Sequence, residues 1–509
     1  MHSFFAPFCC VWMGVQIMGL PIVIVGGGLG GLATAIRLAA RGRRVIVCEK
    51  NERLGGKLNL HQAAGYTFDT GPSLLTMPWV IRDLFAFAQR RMEDYLCLEQ
   101  IEPTCRYFWP DGTRFDAWQR LPQLVQEIER ISPVDVPHFF QFMAHTARIY
   151  DAVAGPFLLR PFDGLRELIT PSMVRHAFRI DALRSVDAAV RSFFRSPHLR
   201  QLFNRYATYN GSSPYVSPAT FNLISYIELA EGGWYVRGGM YQLAVALGRL
   251  ATELGVEVHT ETPVSEVIVE KGYARGVRLA HGEVLPAAAV VMNADPQYAY
   301  THLIPGGQRE ATRLARFEPS YSGVVLFLGV EGDFPALAHH TIFFSADYPS
   351  EFRAIVQDRR PALDPTIYIA ATCRSDPTHA PPGHMNLFVL VNAPADDGRI
   401  DWEAVMPAYR DHIIAKLEVM GLSGLRQAIR YEYYWTPRDL AQRYNAAFGA
   451  IYGLSSNSPF AAFARPPLRA RRIKQLYFVG GGTHPGGGIP LVLLSGKAVT
   501  TQILADLGS

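Results

Sequence analysis

Gly26, Gly28 and Gly31 stand in GxGxxG order, and Glu49 follows eighteen residues after the last of them. Residues of these types at this spacing can hold a dinucleotide. The first glycine permits a tight turn, the second lets backbone N–H groups approach a pyrophosphate, and the third lets a helix pack closely on a strand. The acid accepts the hydroxyls of a ribose and repels a 2′-phosphate. Arg53 to Lys57, RLGGK, then places a second glycine pair just after the acid, where a nicotinamide dehydrogenase would continue with another strand and helix. FAD is therefore the favoured cofactor.

The segments around these residues can position them. Ile22 to Val25 form a short β-branched run suited to a buried parallel strand, Leu32, Ile36 and Ala39 recur at helical spacing, and Val45 to Cys48 form a second apolar strand ending at Glu49. At the far end, Leu476 to Gly480 reads as a strand running into GGTHPGGGIPLVLLSGKAV, a glycine loop followed by a closing helix from about Ile489. The N-terminus of such a helix favours an anion. In a flavoprotein that anion is the reduced isoalloxazine, charged at N1 and O2. A purely structural helix entry is the plainer alternative.

The segments YTFDTGPSLLTMP (66–78), WYVRGGMYQLAVAL (234–247), HHTIFF (339–344), DPTIYIAATCRSDPTHAPPGHMNLFVLV (364–391), YYWTPRDLAQRYNAAFGAIYGL (433–454) and GGTHPGGGIPLVLLSGKA (481–498) are quoted in chain order. In them the chain resembles the bacterial phytoene desaturase family of FAD-dependent carotenoid desaturases, over nearly everything from residue 20 onward. The resemblance implies an enzyme that removes hydrogens from a long isoprenoid polyene. It implies adenine-side contacts at Gly26, Gly28, Gly30, Gly31, Glu49, Lys50, Gly56 and Lys57, and a backbone contact to adenine at Val264. It implies flavin-side contacts at Gly71, Pro72, Gly481, Gly488, Ile489 and Pro490, with Val290 to Asp295 as a strand returning toward the nucleotide.

The fold class expected is α/β, a Rossmann-like FAD-binding domain of the glutathione-reductase or amine-oxidase type, interleaved with an α+β substrate domain. Residues 20–75, 240–300 and 470–509 would build the first. Residues 76–239 and 301–469 would build the second, with a mixed sheet whose clearest strands are 321–330, 339–344 and 385–391, and a helical membrane-associated lobe at about 120–230. At 509 residues, more than one lobe is expected.

Composition agrees: 49% of residues are hydrophobic and 18% charged, against about 25% charged in an average soluble domain. That excess suits a greasy ligand or a membrane surface. From Pro156 to Arg205 there are nine arginines against four acids, a local excess above the +4 of the entire chain, with Phe157, Phe162, Phe178 and Phe193 among them. Basic residues interleaved with large apolar ones suit an anionic bilayer surface, although a solvated helical face is the ordinary reading of a charge run. Nucleic acid is disfavoured, because no recognised binding module accompanies the charges.

The six cysteines, Cys9, Cys10, Cys48, Cys97, Cys105 and Cys373, show no CxxC and no metal-ligand spacing, and the histidines give no metal pattern, so no metal is expected. Residues 3 to 36 lack Asp, Glu, Lys and Arg, yet the glycine turn argues against a membrane span from residue 21 onward. The first Lys or Arg is Arg37, which argues against an export signal, and Met18 is a natural start for such a fold. The first seventeen residues then read as a start-site artefact or a short apolar anchor.

Desaturation needs placement of the polyene in a dry tunnel rather than an acid–base dyad. No catalytic residue is assigned. Arg160 and Asp163 are considered and set aside. The leading reading is an FAD-dependent desaturase of a C30 or C40 polyene, peripheral on the inner face of the cytoplasmic membrane, with oxygen or quinone as electron acceptor. Rivals within the family are a 3,4-desaturase, a polyene isomerase and a terminal-methyl oxygenase; outside it stand a flavin amine oxidase and a non-catalytic carotenoid-binding flavoprotein.

Overall fold

The computed structural model describes residues 19–158, 179–457 and 465–508. Arg160, Asp163, much of the basic stretch and the first seventeen residues lie outside them.

The β-branched run Ile22–Val25 is the middle of a five-stranded sheet in the order Leu476–Phe478, Ala289–Met292, Ile22–Val25, Val45–Cys48, Glu257–His259, with every pairing parallel. A parallel sheet must be covered on both faces, which is why these strands read as continuous apolar runs. Helices Leu29–Ala39, Gln242–Glu253 and Ile489–Leu507 cover one face through Ile24, Leu32, Ile36, Leu247 and Val499. The three-stranded antiparallel sheet Val264–Glu270, Tyr273–Leu279, Val284–Pro286 covers the other, with Val267 and Val277 against Val23, Val25, Ile46 and Cys48. Cys48 is thus a packing residue, and burial pushes its thiol up to about 11.

The second large element is a seven-stranded mixed sheet, ordered Ile429–Trp435, Ser322–Glu331, His384–Ala393, Ile367–Ala370, His340–Phe343, Cys105–Phe108, Arg114–Ala117. Its pairings are antiparallel except that between His340–Phe343 and Cys105–Phe108. Helices Leu121–Ile131, Val136–Val153, Val186–Phe193, Pro197–Asn204 and Leu223–Glu231 pack beside it through Phe139, Phe142, Phe194 and Phe203. This is the α/β arrangement with a mixed sheet read from the sequence.

Three expected strands are shorter than read: 339–344 is His340–Phe343, 476–480 is Leu476–Phe478, and 290–295 is Ala289–Met292. The strand at 290–295 ends at Met292, because Asp295 caps a short helix, accepting from the N–H groups of Gln297 and Tyr298 at 2.9 and 3.2 Å. Among the described residues no helix is long and apolar enough to cross a membrane.

Candidate functional site

A cavity of about 650 Å³ runs from the carboxyl ends of the parallel strands to the face of the seven-stranded sheet. Its first half is the glycine turn. Gly26 has φ +105°, a conformation costly for any side chain. Asn293, just past the strand Ala289–Met292, holds this turn by donating from Nδ2 to the Gly26 carbonyl at 2.9 Å. Its amide also fills the space left by glycines. A methyl carbon at Gly28 or Gly31 would lie 3.0 Å from Nδ2; at Gly30 or Gly480 it would lie 2.9 or 2.7 Å from Oδ1.

Gly26, Gly28 and Gly30 line the cavity. Gly31 stands behind them, where a methyl would meet the Gly26 carbonyl oxygen at 2.3 Å and Ile24 Cγ2 at 3.2 Å, which fits the close helix–strand approach expected of the third glycine.

Glu49 is buried on the wall, where Oε2 accepts from the Gly27 N–H at 2.8 Å and Oε1 from the Asn51 N–H at 2.9 Å. Each carboxylate oxygen retains acceptor capacity for a ribose hydroxyl. Lys50 is held by Asn445 Oδ1 at 2.9 Å, and Val264 lies on the same part of the wall. Gly56, Lys57, Gly71 and Pro72 also line the cavity, as do Gly481, Gly488, Ile489 and Pro490, the last two at the start of the helix Ile489–Leu507. Pro490 stands in the first turn, where a missing N–H costs nothing. His484, in the same loop, points away from the cavity to the Phe157 carbonyl, 2.8 Å from Nε2.

Lys57 is surrounded by protein but open to the cavity, and donates to the carbonyls of Ile451 and Ala450 at 2.7 and 3.0 Å. Desolvation lowers its ammonium to about 8, against the opposing pull of Asp295. A depressed lysine is charged below that value and neutral above it. Affinity for an anionic cofactor should therefore hold below about pH 8 and fall as pH rises through it, approaching tenfold per unit. Fluorescence titration of the apoprotein with FAD from pH 7 to 9.5 checks this, and Lys57→Met should flatten the profile.

Beyond the glycine turn the cavity opens into a chamber walled by the seven-stranded sheet. Period-two alternation brings Phe388, Leu390 and Asn392 to one face, and His340 and Ile342 likewise, with Val325 paired to Leu390. Tyr209, Tyr321, Tyr348 and Tyr368 complete the wall. Among the described residues, the carboxylates on the cavity wall, Glu49 and Asp295, both belong to its nucleotide half, and the charge on the chamber half is Arg205. A cationic amine finds no counter-charge among them there, whereas an apolar chain fits.

Arg205, counted in the basic stretch, is 6% exposed and paired with Glu228 rather than presented to a surface. Arg184 and Arg191 of that stretch pair with Asp181 and Asp187. Asn293, Arg205, His340 and Tyr368 were not legible as cavity residues. A strand end after VVM is the one local signal that pointed near Asn293.

The profile of the flavin containing amine oxidoreductase family matches residues 29–504. The chain is 40% identical to a 4,4'-diapolycopene oxygenase of Methylomonas sp, over 96% of this chain and 98% of that one. It is 35% identical to a 4,4'-diaponeurosporene oxygenase of Staphylococcus haemolyticus, over 95% and 97%. Among solved structures, an oxidoreductase from Methanosarcina mazei superposes with TM-score 0.65 at 15% identity, covering 95% of this chain and 100% of that one. A putrescine oxidase redesigned at its cofactor site gives 0.65 at 14%, covering 95% and 98%.

The chain belongs to the flavin-containing amine oxidoreductase family, on its carotenoid-desaturase-type branch of FAD-dependent enzymes. Its cofactor is FAD, and the cradle fits it: a glycine turn without Cβ atoms, an acid for the ribose, a lysine for an anion and a helix start at the far end. Bound there, FAD supplies a two-electron acceptor. The protein's part is to orient the ligand in the chamber and keep water from it.

Proposed function

We propose that this enzyme oxidises a linear carotenoid polyene, and that its reaction is oxygenation of a terminal methyl group to the aldehyde. One observation carries this reading: near full-length identity of 40% and 35% to enzymes named as oxygenases of 4,4'-diapolycopene and 4,4'-diaponeurosporene. The chamber supports it, being walled largely by apolar and aromatic side chains and, among the described residues, without a carboxylate to hold an amine. Desaturation, the leading reading of the sequence, becomes the second reading. Conversion of a methyl to an aldehyde balances with one dioxygen consumed and one water released, so oxygen is the co-substrate.

We also propose peripheral attachment to the inner face of the cytoplasmic membrane, supported by the arginine and phenylalanine content of the 156–205 stretch and by Leu183 within it, an apolar side chain 92% exposed. A polyene of about 30 carbons does not cross water freely when each buried CH₂ is worth about 0.8 kcal/mol.

One experiment tests the reading: expression beside C30 and C40 polyene-forming enzymes under labelled dioxygen, with chromatography and mass analysis of pigments. A product carrying one label per oxidised end is expected. Longer-wavelength, label-free polyenes would instead establish desaturation, and flavin reduction by polyamines but not carotenes would establish an amine oxidase. In the same cells the protein should sediment with membranes and leave them in high salt; recovery wholly in the low-salt soluble fraction would overturn the attachment.

A further inference from the structure

One stretch of the chamber wall is polar. Arg205 and His340, 6% and 2% exposed, both reach it. The Arg205 guanidinium donates from Nη2 to Glu228 Oε1 at 3.2 Å and lies over the rings of Tyr206, Tyr209 and Tyr107 at 4.5, 5.1 and 5.3 Å. Its Nε, and Nε2 of His340, are buried with no hydrogen-bond partner among the described residues.

The other imidazole nitrogen, Nδ1, is 2.8 Å from the Tyr368 hydroxyl, itself 2.5 Å from Ser73 Oγ. Ser73 and Tyr368 are also on the cavity wall, and Ser73 follows Gly71 and Pro72, the residues assigned to the flavin side. The polar stretch therefore runs on to the part of the wall where the resemblance implies flavin-side contacts. When the Tyr368 hydroxyl donates to Nδ1, the neutral ring keeps its proton on Nε2, a donor without an acceptor.

Both atoms, Arg205 Nε and His340 Nε2, have almost no exposed area and stand just behind the wall surface, so a small turn of either side chain is what would present a donor to the chamber, where a pure hydrocarbon offers it nothing. An oxygen atom on the ligand would meet them. The local charge decides which kind of oxygen. Glu228 accepts from Arg205 and from the hydroxyls of Tyr206 and Tyr209, so the guanidinium is already balanced. A neutral alcohol or aldehyde suits that balance; a carboxylate would add a second negative charge beside Glu228.

We propose that Arg205, His340 and Tyr368 form an end-group site for a neutral oxygen on the terminal carbon of the polyene, so that the enzyme takes polyene alcohols and aldehydes as well as the hydrocarbon. The proposal rests on the reading that a polyene fills the chamber. It makes these residues determinants of specificity, and it makes a once-oxidised end a ligand the enzyme can hold again.

The test uses FAD-loaded enzyme in detergent micelles and three probes of equal length: a linear C30 polyene, its terminal aldehyde and its terminal acid. Binding is followed by the polyene absorption band. The aldehyde should bind about tenfold more tightly than the hydrocarbon, and its band should move to longer wavelength as the carbonyl accepts hydrogen bonds; the acid should gain nothing. Tyr368→Phe, which removes one oxygen and keeps the ring, and His340→Phe should each bring aldehyde and hydrocarbon within about twofold and reverse the band shift. Equal binding of aldehyde and hydrocarbon to the unaltered enzyme overturns the end-group site while leaving the polyene reading standing, as does a preference that survives both substitutions. Binding of none of the three probes overturns the polyene reading and the site with it.

Discussion

Gly71→Ala should give a protein that purifies nearly without yellow colour. Gly71 does not need glycine for its backbone angles, since its φ is not positive. It needs it for space: a methyl there would stand 1.9 Å from the Lys57 carbonyl oxygen and 2.9 Å from its carbon. Both obstacles are backbone, so no rotamer relieves the clash, and the N–H of Thr70 is tied to the Asn59 carbonyl at 2.9 Å, which keeps the two segments together. The chain must move Gly56 and Lys57 away from Gly71 and Pro72, all four of them on the cavity wall. Overpacking of this kind costs about 1–3 kcal/mol. With tenfold in affinity for every 1.4 kcal/mol, FAD binding should weaken about 5- to 140-fold if that cost falls on the bound state. The ratio of flavin to protein absorbance after purification measures it. Full flavin content in Gly71→Ala would show that this contact does not set the width of the cradle.

Arg205→Met should destabilise the fold by about 3–5 kcal/mol, the cost of leaving one member of a buried ion pair alone. Arg205 and Glu228 are 7% and 1% exposed at their side chains, and without the guanidinium the Glu228 carboxylate keeps only the hydroxyls of Tyr206 and Tyr209. The double replacement Arg205→Met with Glu228→Met should recover most of the loss, because apolar residues of similar volume commonly replace such a pair at little cost. Urea midpoints of the two single variants, the double variant and the parent form the cycle. Near-parental midpoints for Arg205→Met alone would mean that the carboxylate is relieved by other means, and the charge balance used above would fall.

The nucleotide half of the cavity was legible because its determinants are local. GxGxxG, the acid after the second strand and the glycine loop before a closing helix each lie within one turn of chain, and each glycine carries its own steric reason. The chamber was not legible in the same way. The doublet His339–His340 could be placed on a strand, and period two puts its members on opposite faces, yet which face meets the ligand depends on pairing with Cys105–Phe108 and Ile367–Ala370, segments distant in sequence. Arg205 looked like one more cation in a basic stretch. Its partner Glu228 lies 23 residues on, at a helical spacing that means nothing until Pro197–Asn204 and Leu223–Glu231 are packed together.

Asn293 ties together positions that the sequence spreads over most of its length. At four glycines, 28, 30, 31 and 480, an added methyl carbon would come within about 3 Å of this one amide group. Their identity is therefore owed to a neighbour as well as to the nucleotide, and none of them is free to drift by itself. Alanine at position 28 or 480 would press on residue 293 as well as on the nucleotide, and at 31 it would press on the Gly26 carbonyl besides, so a change at any of them calls for a change elsewhere in the turn.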